Sequence, residues 1–330
     1  MEREIAFMGE HASIHTPVEE EATMADATRI LRMFADRIYP LIDIYAADSE
    51  ISRANQIAAR TRFPISRDTQ HLVEQAQQLS ANLDGAFDIS DAPLRHLWNR
   101  HFRNDPQALP AEPLVRATRR GVGPHHFEVR DHALLLLTSV TQLDVNEFAR
   151  PYVIDRAIRH MRRQGVGHVL IEMGDFGRCL GRASADQSWF RTIMHPAEQE
   201  REVGGVLLPD GAAFAMVGWP HHYADVGGER VARVIDPRSG WPAEGETSVL
   251  VIGPSVAGAY ALAQALFIDG RDEGMAHLQA MPRYQALFVQ HDEPSLLWHT
   301  PDFAPLFDAA PDYRDKMRLL ERPVEESVEE

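Results

Sequence analysis

The side chains best equipped for chemistry in this sequence are two pairs of adjacent histidines, His125-His126 and His221-His222, and a scattering of carboxylates and arginines beside glycines. Neutral imidazole is a common metal ligand, so the pairs raise metal or haem binding as a question. Adjacent residues on a strand point to opposite faces, however, so such a pair offers one side chain to a given ion. Packing or surface histidines are the plainer reading, and the metal or haem role stays open. Cys179 is the only cysteine, which excludes an intramolecular disulfide and a cysteine-cluster metal site. It reads as a small buried hydrophobe at the end of an apolar strand. Lys316, near the C-terminus, is the only lysine, so a core lysine is not available for catalysis. The remaining fixed positive charge is arginine, whose planar fork suits phosphate. Arg150 reads either as a phosphate partner or as a solvated arginine on a helix face.

These groups sit in a chain of 330 residues, long enough for one large domain or two modest ones. Hydrophobic residues make up 44% and charged residues 25%, the composition of an ordinary globular protein. A formal net charge of -16 argues against nucleic acid as a partner, because phosphate neutralisation needs a basic face. It leaves room for an anionic small molecule held by a few arginines or a helix N-terminus. The N-terminus lacks a basic start followed by an apolar run, and no segment is long enough to span a bilayer. The expectation is a cytoplasmic protein with no membrane span.

Periodicity places the elements that must position the site. An early strand is expected around Phe7 to His15. A helix is expected over 20–38, with Ile30, Leu31, Phe34 and Ile38 on one face, broken at Pro40. Asp68 is the expected cap of a second helix carrying Leu72, Val73, Ala76 and Leu79. That helix delivers the chain to Gly85-Ala86-Phe87-Asp88, followed by Pro93-Leu94. Residues 100–126 read as an irregular excursion with at most a short helix. Two strands fill 127–145, with Arg130-Asp131-His132 as the turn between them. A helix through Val153, Ile154, Ala157, Ile158 and Met161 leads into a strand at 168–173, an order that predicts some parallel pairing. Strands follow at 191–194, 205–208, 213–217, 231–235 and 247–252. Ser255 then caps an apolar helix to about Phe267, followed by a helix at 275–281 and strands at 286–290 and 296–298. The acidic end, 321–330, reads as a disordered tail.

Taken in order, several blocks resemble one family, the FAD:protein FMN transferases (ApbE family). Phe7-Met8-Gly9 is similar to the family's opening Met-Gly-Thr, with Glu10 in place of the threonine. Tyr45 with Asp48-Ser49-Glu50-Ile51-Ser52-Arg53 and Asn55 resembles its Tyr…Asp-Ser-Glu-Leu-Ser-Arg-Leu-Asn block. Gly85-Ala86-Phe87-Asp88, Pro93-Leu94, Gly181, Ile235-Asp236-Pro237-Arg238, Gly240 and Pro242 also match, as does the apolar helix 257–267. The resemblance covers about residues 7 to 290. It implies an α+β fold with a mixed sheet and helices, two subdomains around a central cleft within residues 1–320, and FAD in that cleft. It further implies transfer of FMN from FAD to a threonine or serine of an acceptor protein, with release of AMP and help from magnesium. The positions it points to as flavin or nucleotide contacts are Met8, Tyr45, Ala86, Phe87, Asp88, Arg150, Asp155, Gly174 and Asp236, with His222 and Arg233 as catalytic candidates. Tyr45 and Phe87 equally suit ordinary core aromatics, and Asp236 with Arg238 suits a turn-forming pair.

The departures fall where the family does chemistry. The glycine-rich block between Asp144 and Asp155 reads Val145-Asn146-Glu147-Phe148-Ala149-Arg150-Pro151-Tyr152, so two glycines have gained side chains. Gly174 is kept within Glu172-Met173-Gly174-Asp175-Phe176, Met216-Val217-Gly218-Trp219 replaces a threonine-serine-glycine-aspartate segment, and Arg233 stands where a histidine precedes the Asp-Pro-Arg turn. The family's magnesium ligands on the apolar helix align with Tyr260 and Gln264. A phenol and an amide do not replace hard carboxylate ligands, so no magnesium site of that kind is expected. Two functions follow: a diverged flavin transferase, or a catalytically inactive or repurposed relative that binds a flavin, nucleotide, haem or metal in the same cleft. Glu147, Asp175 and Asp225 are shifted carboxylates around which a site could be rebuilt.

Overall fold

The computed structural model describes residues 1–17, 20–104, 109–198, 200–245, 247–292 and 294–320. In chain order the elements are β1 (Glu2–Phe7), β2 (Glu10–His15), α1 (Glu21–Ile42), α2 (Glu50–Gln56), β3 (Arg62–Pro64), α3 (Arg67–Asn82), α4 (Ala92–Asn104) and α5 (Glu112–Arg119). Then come β4 (Phe127–Arg130), β5 (Ala133–Leu136), α6 (Asn146–Arg163), β6 (Val169–Met173), β7 (Phe176–Leu180), β8 (Trp189–Met194), β9 (Glu202–Leu208), β10 (Ala213–Val217), β11 (Tyr223–Val226) and β12 (Glu229–Ala232). The chain closes with β13 (Thr247–Gly253), α7 (Val256–Glu273), α8 (Met275–Ala280), β14 (Gln285–Gln290), β15 (Leu297–His299), β16 (Phe307–Ala309) and β17 (Met317–Leu319).

A nine-stranded sheet in the order β1-β2-β6-β7-β10-β13-β14-β15-β17 organises the fold. Its strand β10 is apolar throughout, and β13 and β14 are apolar through their middles, because both faces are covered. Val249 and Val251 of β13 join the helix-side core, while Leu250 and Ile252, their alternate neighbours, enter the core on the other face. Ala286 and Phe288 against Leu287 and Val289 repeat the pattern in β14. Leu31 of α1, Ile154 of α6 and Leu262 of α7 fill the first core. The second core takes Trp189 and Val206 from the small sheet β16-β9-β8. A third, smaller core joins Leu94, Trp98 and Phe102 of α4 to Val115 of α5 and to Ala224 and Val226 of β11. Trp98 ties it to the Asp236–Pro242 turn by donating its indole N–H to the Gly240 carbonyl at 2.8 Å.

Several sequence expectations change. The first strand is a full hairpin, with Met8 (φ 48°) and Gly9 (φ 84°) at its turn. Pro40 does not end α1, which continues to Ile42 with Ile38 and Ile42 buried; packing outweighs the one backbone bond that proline forfeits. The cap of α3 is Ser66, which accepts from the Thr69 N–H, and Asp68 sits in the first turn paired with Arg37 at 2.5 Å. In 100–126, read as an irregular excursion with at most a short helix, α4 continues to Asn104 and α5 is a short helix over Glu112–Arg119. Among the described residues the predicted parallel unit is absent: β5 and β6 lie in different sheets, and the paired strands are antiparallel apart from β15 with β17. The acidic tail at 321–330 lies outside the described residues. No helix among those described is long and apolar enough to cross a membrane.

Candidate functional site

A cavity of about 500 Å³ opens where the Phe87–Ile89 segment, α4, the start of α6, the β6–β7 turn, the end of β10, a short 3-10 turn at Pro220–His222 and the middle of α7 converge. The segment before α4 is tied down by hydrogen bonds to Asp88. Asp88 is buried and accepts from the Ser80 hydroxyl (3.0 Å), the Ser90 N–H (2.7 Å) and the Ser90 hydroxyl (2.6 Å). Gly85 (φ 72°) makes the turn out of α3 that only a residue tolerant of positive φ makes cheaply. Phe87 then reaches the cavity, tilted against Phe148 (5.3 Å between rings) and edge-on to Tyr260 (6.4 Å).

The electrostatics are dominated by carboxylates. Glu10, Asp88, Asp91, Asp144, Glu147 and Asp175 line the cavity against three arginines, Arg95, Arg150 and Arg233. Arg95 is bound to Asp91 at 2.9 Å and to Asp144 at 3.0 Å. Burial disfavours its charge, but these two carboxylates outweigh that and hold the guanidinium charged. Burial pushes the Asp91 carboxyl up to about 6 against the pull of Arg95. Arg150 is held by Glu10 at 3.0 Å and Glu147 at 2.8 Å. Burial, with Glu147 adding to it, keeps the Tyr260 phenol protonated well above the usual tyrosine range. Gln264 lies on the same wall, one helical turn further along α7.

At the opposite wall, the 3-10 turn makes His221 and His222 neighbours rather than opposites, with ring centroids 4.2 Å apart. Asp175 Oδ2 lies in contact with His221 Nε2 and 3.8 Å from His222 Nε2. The hydrogen bond to Asp175 raises the His221 pKa. Burial, followed by His221, brings His222 down to about 4. The strand geometry expected for this pair does not hold, because a 3-10 turn advances about 120° per residue.

The cavity therefore gathers Phe87, Asp88, Arg150, Gly174, His222, Arg233, Tyr260 and Gln264 from among the residues singled out in the sequence. Six others lie off its walls. Met8 is buried in the hairpin turn, where its carbonyl faces Arg150 at 3.5 Å. Tyr45 is 82% exposed, and Ala86 is packed in the core. Asp155 caps α7, accepting from the Val256 and Ala257 N–H groups at 3.0 Å each, and pairs with Arg178 at 2.5 Å. Asp236 accepts from the Arg238 N–H and Nε at 2.9 Å, and Arg238 in turn reaches Asp269. Asp225 lies in the β11–β12 hairpin, accepting from the Gly228 N–H at 3.0 Å. Asp91 and Arg95 were missed by sequence reasoning; the apolar spacing of Leu94, Leu97, Trp98 and Phe102 could have revealed α4 and its inward arginine.

A model of the ApbE family matches residues 8–288. The chain belongs to the ApbE family. FAD:protein FMN transferases from Vibrio cholerae and Salmonella typhimurium are each 28% identical to it, over 76% of this chain and 75% of that protein for the first, and 80% and 77% for the second. The apo flavinyl transferase ApbE of Pseudomonas stutzeri superposes with a TM-score of 0.80 at 25% identity, covering 94% of this chain and 97% of that one. The ApbE protein of Thermotoga maritima shares the fold with the same TM-score at 20% identity. The large mixed sheet with its helices is thus an ApbE fold.

Proposed function

We propose that this ApbE-family protein binds FAD in the cleft and transfers FMN to a hydroxyl of an acceptor protein. The observation that carries the reading is the convergence of the kept Phe87-Asp88 segment, Gly174 and Arg150 on one cavity of about 500 Å³, in a chain matching flavin transferases over most of its length. In the reaction a threonine or serine oxygen forms a bond to the FMN phosphorus and the pyrophosphate bond to AMP breaks. AMP leaves, and the hydroxyl proton goes to solvent. Phe87, Phe148 and Phe176 supply apolar surface for the ligand. Arg233, the most exposed of the three cleft arginines, can meet a phosphate from the cleft's rim.

The family's magnesium does not fit the residues on α7. Tyr260 offers a protonated phenol, Gln264 offers an amide, and Arg95 already occupies oxygens of the nearby Asp91 and Asp144. No step is assigned to that ion. A second reading, a relative that binds the nucleotide without transferring it, is favoured by one observation: the Arg150 charge is already answered by Glu10 and Glu147.

The two readings separate in a single assay with FAD, magnesium and a threonine-bearing acceptor domain. Transfer requires AMP in solution and an acceptor that stays fluorescent after denaturation. FAD binding without either product selects the second reading, and the absence of FAD binding rejects both.

A further inference from the structure

We propose that Asp175, His221 and His222 form a binding site for a divalent transition metal ion of the zinc type on the cleft wall. Each contributes one ligand atom, and the three atoms lie within 4.8 Å of one another. Among the described residues this is the one such group of three. Two imidazole nitrogens and one carboxylate oxygen make a borderline donor set that suits zinc and its neighbours, whereas magnesium and calcium prefer oxygen alone.

The ligands come from two fixed elements. Asp175 sits in the β6–β7 turn, where Gly174 takes φ 54° and the Asp175 carbonyl accepts from the Met216 N–H at 2.8 Å. The histidines ride on the 3-10 turn that follows Trp219, a buried residue whose indole N–H is held by the Met194 carbonyl at 3.0 Å. Metal bonds of about 2.0–2.1 Å set ligand atoms of a tetrahedral site about 3.3 Å apart. His222 is slightly beyond that spacing from Asp175, at 3.8 Å, and His221 is inside it. The His221 side chain is 62% exposed and free to back away. Three protein ligands leave a coordination position for water or a bound molecule, as catalytic zinc sites do. The six carboxylates that line the cavity against three arginines make it a place where an added cation is welcome. The metal site stands on these ligands; only its contact with a bound phosphate rests on the flavin reading.

The test uses full-length, tag-free protein and zinc alone, titrated against a chromophoric chelator, with cobalt(II) absorption as a second readout. One zinc per chain is expected. Asp175→Asn, His221→Ala and His222→Gln should each weaken it by more than the roughly 10–100-fold that loss of an outer-sphere partner costs. The double variant His125→Ala/His126→Ala alters the other histidine pair, whose rings lie 4.1 Å apart, and should bind as the wild type does. His221 is largely exposed, so its variant tests the site in a folded protein. Absence of stoichiometric zinc, unchanged affinity in His221→Ala, or an equal loss in the His125/His126 variant overturns the site. A parallel FAD titration keeps the two ideas apart: FAD binding without zinc removes the metal and keeps the flavin reading, and zinc without FAD does the reverse.

Discussion

Arg95 reaches the cleft from the first turn of α4 and binds Asp91 and Asp144 together. Its side chain is 25% exposed, so the triad is shielded from water on most sides. Removing the cation would leave two carboxylates near Glu147 without compensation, and such breakage of a buried network is costly. Arg95→Met should lower unfolding stability by about 3 kcal/mol in urea titration. Arg95→Lys should recover only part of it, because a point charge does not span two carboxylates as the planar fork does. A wild-type urea midpoint for Arg95→Met would show that the triad contributes nothing. Tyr260 belongs to the same neighbourhood, and its protonated phenol adds no charge to it.

At the scale of elements, α7 shows how a residue that looks like a ligand contact serves the fold. Asp155 projects from α6 to the N-terminus of α7, where both its oxygens accept backbone N–H groups, and it neutralises Arg178 of β7. One side chain thereby joins a helix, a second helix and a strand. Ser255 completes the cap by accepting from the Gly258 N–H. Asp155→Ala strands a buried arginine and exposes two helix donors. The expected loss is about 3–5 kcal/mol by chemical denaturation, while the FAD affinity of the folded fraction stays as in the wild type. A loss of affinity without a loss of stability would return Asp155 to the ligand site.

For the whole molecule, pH acts through a half-buried imidazole, His291. Burial first, then Arg230 and His195, brings His291 down to about 4. The ring lies against the Ser248 hydroxyl at 2.9 Å, and that hydroxyl donates to the Gly218 carbonyl at 2.8 Å. The folded chain therefore keeps this imidazole neutral between about pH 4 and 6.5, while the unfolded chain protonates it. The unfolded state binds more protons in that window, so stability falls as pH drops through it. After discounting for solvent screening the contribution is about 1–2 kcal/mol. Melting curves of His291→Asn should show a flatter pH dependence between pH 6.5 and 4, and a slope equal to the wild type's would refute the assignment.

The order of blocks along the chain was enough to reach the family and the α+β fold, because short-range patterns encode them. A Ser-capped apolar helix, a glycine turn after an amphipathic helix and alternating strands are all local properties. The strands buried on both faces were legible as apolar runs, but which of them pair was not; β5 and β6 part company through contacts distant in sequence. The site was read less completely for the same reason. Phe87, Asp88, Arg150, His222, Tyr260 and Gln264 stood out one by one. That Asp175 comes up to His221 and His222, that Arg95 bridges Asp91 and Asp144, and that Asp155 faces a helix end were decided by tertiary structure. Charge pairing and ligand convergence depend on distances between segments as many as 142 residues apart, as Met8 and Arg150 are, and local pattern carries no record of those distances.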